Sequence, residues 1–191
     1  MENTGRALLL AGPMGAGKSA LARGLQDLLP GPWLILGDET NVCFPRQRSE
    51  FMTLRWDRAV RRGNVKALAG YLDEGLNVLT EWFLWEPWAR RITAEALMGR
   101  TVRIVKLWCS LDVAQRRLVE RGQRLHMNAA RVEEGLRWAR WQYENEPWNV
   151  PYDLLLETDE SSPEELADEV AAWLLTEPRP EAIGRLGVGA S

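Results

Sequence analysis

Gly12-Pro13-Met14-Gly15-Ala16-Gly17-Lys18-Ser19 is the stretch whose reading decides the fold. It meets the pattern G-x-x-x-x-G-K-[ST] at every fixed position, and the segments on either side supply the context that pattern needs. Arg6–Ala11 (RALLLA) before it is a short apolar run with the length of a buried strand. Lys18–Leu29 (KSALARGLQDLL) after it carries Leu21, Leu25, Leu28 and Leu29 at helical spacing and runs into Pro30-Gly31-Pro32, which stops it. A strand that curls through glycines into a helix turns successive backbone N–H groups inward, where they can grip phosphate oxygens. The start of the helix adds the positive end of its dipole. Gly12, Pro13, Met14, Gly15, Ala16, Gly17, Lys18, Ser19 and Ala20 are therefore the candidate nucleotide contacts. Lys18 would reach the β- and γ-phosphates, and the Ser19 hydroxyl is placed to ligate magnesium.

Working outward, strand and helix patterns alternate. Trp33–Leu36 (WLIL) reads as a second strand, Leu76–Thr80 as a third, Thr101–Trp108 (TVRIVKLW) as a fourth and Tyr152–Glu157 (YDLLLE) as a fifth. Helical spacing fills Glu50–Glu74, with a possible break near Gly63, then Trp88–Met98, Leu111–Glu120, Ala129–Asn145 and Pro163–Leu175. Ser162 suits the cap of the last helix and Pro163 its first turn. Strands separated by helices of this length predict an α/β fold: a five-stranded parallel sheet with helices on both faces. Such sheets bind ligands at the carboxyl ends of their strands. The pattern predicts one domain over residues 1–176 and a loose tail over 177–191.

Composition narrows the class. The 191 residues suffice for one full core, and the net charge of −3 offers no basic surplus for a general nucleic-acid binder. Cys43 and Cys109 form no paired motif, which points to a reduced, cytoplasmic setting. The N-terminus lacks the basic start of a signal peptide, and Ala7–Ala11 is too short to span a membrane. The sequence leaves the oligomeric state open.

Acids stand where two strands finish. Asp38 and Glu39 follow the second strand and are candidates for the base that takes the acceptor's proton; strand alternation lets one of the two face the cleft. Glu81 follows the third strand and could serve magnesium or anchor the acceptor. Past the fourth strand, Arg116, Arg117, Arg121 and Arg124 suggest a lid over about 116–130, with Arg117 and Arg121 on one helix face to steady transferring phosphoryl oxygens. A solvated basic face is the competing reading. Trp33, Trp108 and Trp173 read as core, whereas Trp82, Trp85 and Trp88 crowd behind a strand end. They form either a stacking wall for an acceptor or packing between lid and core.

Further residues carry a family likeness. Leu28-Leu29-Pro30-Gly31-Pro32-Trp33-Leu34, Arg121-Gly122-Gln123-Arg124 and Tyr152–Asp159 followed by Ser161-Ser162-Pro163 resemble the corresponding stretches of chloramphenicol phosphotransferase-like P-loop kinases. The likeness spans most of Leu8–Leu175 and is thin in the middle. It implies a three-layer P-loop kinase fold with an arginine-bearing lid, ATP and Mg2+ as cofactors, and a hydroxyl of a small molecule (an antibiotic, a sugar or another natural product) as acceptor. The family's base, an aspartate just after strand two, falls on Glu39 without a gap and on Asp38 with a shift of one. Its carboxylate after strand three falls on Glu81, and Thr158–Ser162 would lie near the adenine, with Arg121, Arg124 and Thr158 among the nucleotide contacts. The acceptor pocket would draw on Asn41–Ser49 and Trp82–Trp88, which do not look like a chloramphenicol site. The alternatives are a nucleoside, nucleotide or nucleotide-sugar kinase, and a non-catalytic nucleotide switch. The guanine-reading N-K-x-D is absent from the sequence.

Overall fold

The computed structural model describes residues 5–36, 54–82, 84, 86–145, 149–176 and 179–186. Its elements in chain order are β1 (Arg6–Ala11), α1 (Lys18–Leu25), β2 (Trp33–Leu36), α2 (Leu54–Asp73), β3 (Asn77–Glu81), α3 (Pro87–Leu97), β4 (Thr101–Trp108), α4 (Leu111–Arg124), α5 (Ala129–Glu144), β5 (Leu154–Glu157), α6 (Pro163–Leu175) and α7 (Ala182–Arg185). The five strands form one sheet in the order β2-β3-β1-β4-β5, and every neighbouring pair is parallel. The expected three-layer α/β architecture is thus present, with the strand that feeds the glycine-rich loop at its centre.

The apolar run of β1 has to be buried on both faces because successive side chains point to opposite sides. Ala7, Leu9 and Ala11 join Val65, Leu68 and Leu72 of α2 and Leu97 of α3 in one core. Leu8 and Leu10 join Leu21 and Leu25 of α1 and Val170 of α6 in the other. Among the described residues, no helix is long and apolar enough to cross a membrane.

Several boundaries differ from expectation for physical reasons. Helix α1 stops at Leu25, and Leu28 and Leu29 continue in turns whose amides return to the Leu25 carbonyl. Helix α2 runs unbroken through Gly63, since the spacing of Val65, Leu68 and Leu72 keeps one face on the sheet. Helix α4 extends past Glu120 to Arg124, so the R-G-x-R stretch is helical rather than a turn. Gly122 is buried there, and a Cβ on it would lie 2.5 Å from Val132 Cγ2, so its bare backbone allows α4 and α5 to cross closely. The chain reverses over residues 125–128, with His126 at φ 49° and Asn128 capping α5.

The tail is the larger correction. Residues 179–186 do not trail away: Ala182, Ile183 and Leu186 are buried in the core that holds Val102 and Ile104 of β4. The Glu181 and Ala182 amides both donate to Asp153 Oδ1 at 2.8 Å. Three apolar side chains and a carboxylate that caps the helix start outweigh the local Pro and Gly content.

Candidate functional site

The loop between β1 and α1 is a cradle by geometry as well as by motif. Gly12, Gly15 and Gly17 take φ values of 141°, 87° and 99°, which favour glycine. A Cβ at Gly12 would sit 2.2 Å from the Leu107 carbonyl oxygen, and one at Gly15 would sit 2.8 Å from the Ala114 backbone. Helix α1 begins on Gly17 with no side-chain cap and no acidic residue in its first turn, which leaves an electropositive terminus suited to an anion. The Lys18 ammonium donates to the carbonyls of Gly12 and Pro13 at 3.0 Å each and so lies over the loop. Ser19 is half-buried at the start of α1. The Ala20 amide, expected as a phosphate contact, donates to the Gly17 carbonyl at 3.0 Å and is used by the helix itself.

Side chains from distant elements clamp this loop. Arg117 on α4 donates through Nη1 to the Gly15 carbonyl (3.3 Å) and to Thr158 Oγ1 (2.9 Å), and through Nη2 to the Thr158 carbonyl. Thr158 is fully buried, and its hydroxyl donates to the Ala16 carbonyl at 3.0 Å. From α5, Gln142 Oε1 accepts the Met14 amide at 2.8 Å. Arg117 therefore ties the loop to the segment after β5, and the Thr158 hydroxyl takes part in the same joint. Arg121 and Arg124 are exposed, one and two turns further along the same face of α4. At 1.5 Å per residue they stand about 6 and 10 Å beyond Arg117 toward the hairpin tip.

On the acid side, Glu81 ends β3 buried beside Leu10, its register partner on β1. Thr80 donates its hydroxyl to the Leu36 carbonyl at 3.0 Å and so ties the end of β2 to the residue before Glu81. Asp38, Glu39, Asn41–Ser49 and Trp85 lie outside the described residues. Trp82 is corrected: it is buried, its Nε1 donates to Thr93 Oγ1 at 2.9 Å, and it packs in the core with Leu84 and Ala94. A buried indole whose N–H has a partner is packing, not an acceptor wall. Trp88, at the start of α3, is half-buried, with the guanidinium groups of Arg58 and Arg61 over its ring at 5.4 and 5.8 Å. Among the described residues, no cluster of three His, Cys, Asp or Glu side chains could hold a metal. A magnesium ion here would rely on Ser19, with Glu81 at the carboxyl end of the strand beside β1 as a further carboxylate, and otherwise on phosphate and water oxygens, as is usual for that ion.

The sequence reading missed the α5 contribution. Gln142 looks like an ordinary polar residue of a surface helix, yet it is buried. Gly135, Ala139 and Gln142 follow one another at i, i+4 and i+7, and this small-residue stripe was the available sign of a close-packed face. The next residue, Tyr143, donates its hydroxyl to the Cys109 carbonyl at 2.7 Å and packs against Trp108 with the ring centroids 5.0 Å apart and the planes tilted by 48°. Burial, helped by Cys109, pushes its phenol well above the usual tyrosine range. A proton held more tightly in the fold than in the unfolded chain stabilises the fold fully below the unfolded value near 10, and that contribution is lost as pH rises above it. Urea midpoints measured from pH 8 to 11 should therefore fall more steeply in the wild type than in Tyr143→Phe. Parallel curves would show that Tyr143 contributes nothing to alkaline sensitivity.

Comparison with known proteins places this geometry in a family. The model of the chloramphenicol phosphotransferase-like proteins matches residues 5–174. This chain belongs to that family. A Mycobacterium tuberculosis relative of this family member, named as a candidate O-phosphotransferase, is 28% identical over 212 residues, spanning 95% of the chain and 88% of the relative. A solved sugar kinase from Janibacter sp. superposes with a TM-score of 0.63 at 17% identity, covering 96% of this family member and 99% of that structure. The APS kinase of Mycobacterium tuberculosis, solved with AMPPNP and APS, superposes with a TM-score of 0.56 at 18% identity, over 90% and 98%. At these identities the structures show a shared P-loop kinase fold.

Proposed function

We propose that this chain is an ATP-dependent, magnesium-requiring kinase that moves the γ-phosphate onto a hydroxyl of a small molecule. The observation that carries the reading is the loop from Gly12 to Ser19: three glycines in conformations other residues resist, an uncapped helix start behind them, and the Lys18 ammonium folded over the curl. The family supports it, and so does the fold shared with an APS kinase solved with AMPPNP and APS. In this reading the loop amides and Lys18 hold the β- and γ-phosphates, and Lys18 stabilises charge as the phosphoryl group leaves. Magnesium, held through Ser19 with Glu81 close by, neutralises phosphate charge. Asp38 or Glu39 takes the acceptor's proton: in sequence they follow β2 by two and three residues, and Thr80 pins the end of that strand beside Glu81. Arg121 and Arg124 supply further positive charge from the lid. The acceptor lies toward α2 and α3, against Trp88.

The direct test is consumption of ATP by the purified protein with magnesium and a panel of hydroxylated metabolites and antibiotics. Acceptor-dependent ADP release with one compound is expected. A protein that binds no nucleotide, or binds it and never transfers phosphate, would overturn the reading. Once an acceptor is found, Trp88→Ala should raise its KM about 5- to 30-fold, the worth of one stacking or cation–π contact, with the KM for ATP unchanged. Equal shifts in both would remove Trp88 from the acceptor side.

A further inference from the structure

The glycine-rich loop cannot hold its own shape. Its glycines permit many conformations, so the curl needs anchors from outside. The carbonyls of Gly12 and Pro13 are held by Lys18. That ammonium is the group a triphosphate would recruit, so these two anchors loosen when nucleotide enters. The anchors that stay come from elsewhere in the fold: Arg117 on Gly15, Thr158 on Ala16 and Gln142 on Met14. Two of them sit on opposite limbs of the α4–α5 hairpin and grip neighbouring residues, one by its N–H and one by its carbonyl.

We propose that Gln142 is a positioning residue which couples the α4–α5 hairpin to the phosphate loop, so that nucleotide binding orders the hairpin that carries Arg121 and Arg124. The proposal deepens the kinase reading and rests on it. The side-chain oxygen of Gln142 accepts the Met14 amide at 2.8 Å across 128 residues of sequence. The residue is 9% exposed, so water offers little replacement for the acceptor it supplies. Met14 itself lies along the same face of α5: its Sδ is 3.9 Å from where a Cβ on Gly135 would stand, and Ala139 between them is fully buried. The neighbouring Tyr143 fixes the last turn of α5 to the end of β4 through the Cys109 carbonyl. Gln142 therefore projects from a turn tied to the end of β4, and a shift of the loop at Met14 is carried into α5. The opposite limb is closed by Gly122 against Val132, so α5 cannot move without α4.

Gln142→Met keeps the length and apolar volume of the side chain and removes the oxygen; Gln142→Glu keeps an acceptor oxygen. Wild type and both variants are followed by hydrogen–deuterium exchange with and without MgADP, with MgADP affinity measured by calorimetry and thermal unfolding as a check on the fold. In the wild type, MgADP should slow exchange in the loop and also over residues 111–144. In Gln142→Met the loop should still be protected, the protection of 129–144 should be lost, and affinity should drop about fivefold, the worth of one hydrogen bond. Gln142→Glu should retain the α5 protection. A merely structural role would lower the thermal midpoint of Gln142→Met and leave the MgADP-dependent difference over α5 as it was, and that result would overturn the coupling. Loss of the difference in both variants would also overturn it, because the acceptor oxygen would then not matter. A wild type that does not bind MgADP would instead bring down the nucleotide reading itself.

Discussion

Lys18→Ala is expected to lower kcat for phosphoryl transfer by about 10²- to 10³-fold or more, while the protein stays folded. A preorganised charged donor aimed at charge that develops in the transition state commonly contributes that much. Two effects of the substitution must be separated. The ammonium also donates to the Gly12 and Pro13 carbonyls, and losing these bonds loosens the loop in the resting protein. Each such bond is worth about 1 kcal/mol net, and the half-buried site lets water take over. The cores on both faces of the sheet do not involve Lys18, so unfolding should shift by a few degrees at most. Lys18→Arg should be nearly as inactive, because a planar fork cannot replace a compact point charge in so tight a curl. The measurements are initial rates of acceptor-dependent ADP release beside thermal melts. A folded Lys18→Ala enzyme with near wild-type turnover would move the chemistry away from this loop.

The loop was legible because its constraint is local. Gly12, Gly15 and Gly17 are required by their own backbone angles, and the flanking periodicities announce strand and helix directly; the close approaches of Leu107 to Gly12 and Ala114 to Gly15 come from distant parts of the chain and only add to that demand. The parallel sheet was legible for the same reason, since the burial demanded by runs such as LLL at positions 8–10 has few solutions. What escaped were joints between residues far apart in sequence. Arg117 was read as a lid arginine because its neighbours are arginines; its actual partners, Gly15 and Thr158, lie 102 and 41 residues away. Trp82 was grouped with Trp85 and Trp88 by proximity in sequence. Trp82 points inward to Thr93, whereas Trp88 is half-buried under Arg58 and Arg61. Gln142 gave no sign beyond a spacing of small residues. In each case the side chain's role is set by which element crosses it, and crossing is a tertiary property.

Asp153 shows the same limit and yields the largest stability effect expected here. By periodicity it belongs to a strand, Tyr152–Glu157; in the structure β5 starts two residues later, at Leu154, and Asp153 acts as a knot. Its Oδ2 accepts the Ile104 amide at 2.8 Å while its own amide donates to the Ile104 carbonyl at 2.8 Å. Its Oδ1 accepts the amides of Glu181 and Ala182, which starts α7 and brings Ala182, Ile183 and Leu186 onto the core. Asp153→Ala strips the acceptor from three amides at once. Hydrogen bonds to a charged group are worth about 1.5–3 kcal/mol each, but they share one carboxylate and water can reach part of the site. A net loss of about 3–5 kcal/mol is expected, or roughly 6–20 °C in the thermal midpoint of a domain this size. Asp153→Asn, which keeps one acceptor oxygen, should lose less. The knot lies at the start of β5, away from the carboxyl ends of the strands where the glycine-rich loop sits, so the KM for ATP at low temperature should be unchanged. Urea unfolding distinguishes the outcomes: a midpoint that falls with faster amide exchange over 179–186 is the predicted pair. A midpoint equal to the wild type would mean that α7 docks by its apolar side chains alone and that the carboxylate is incidental.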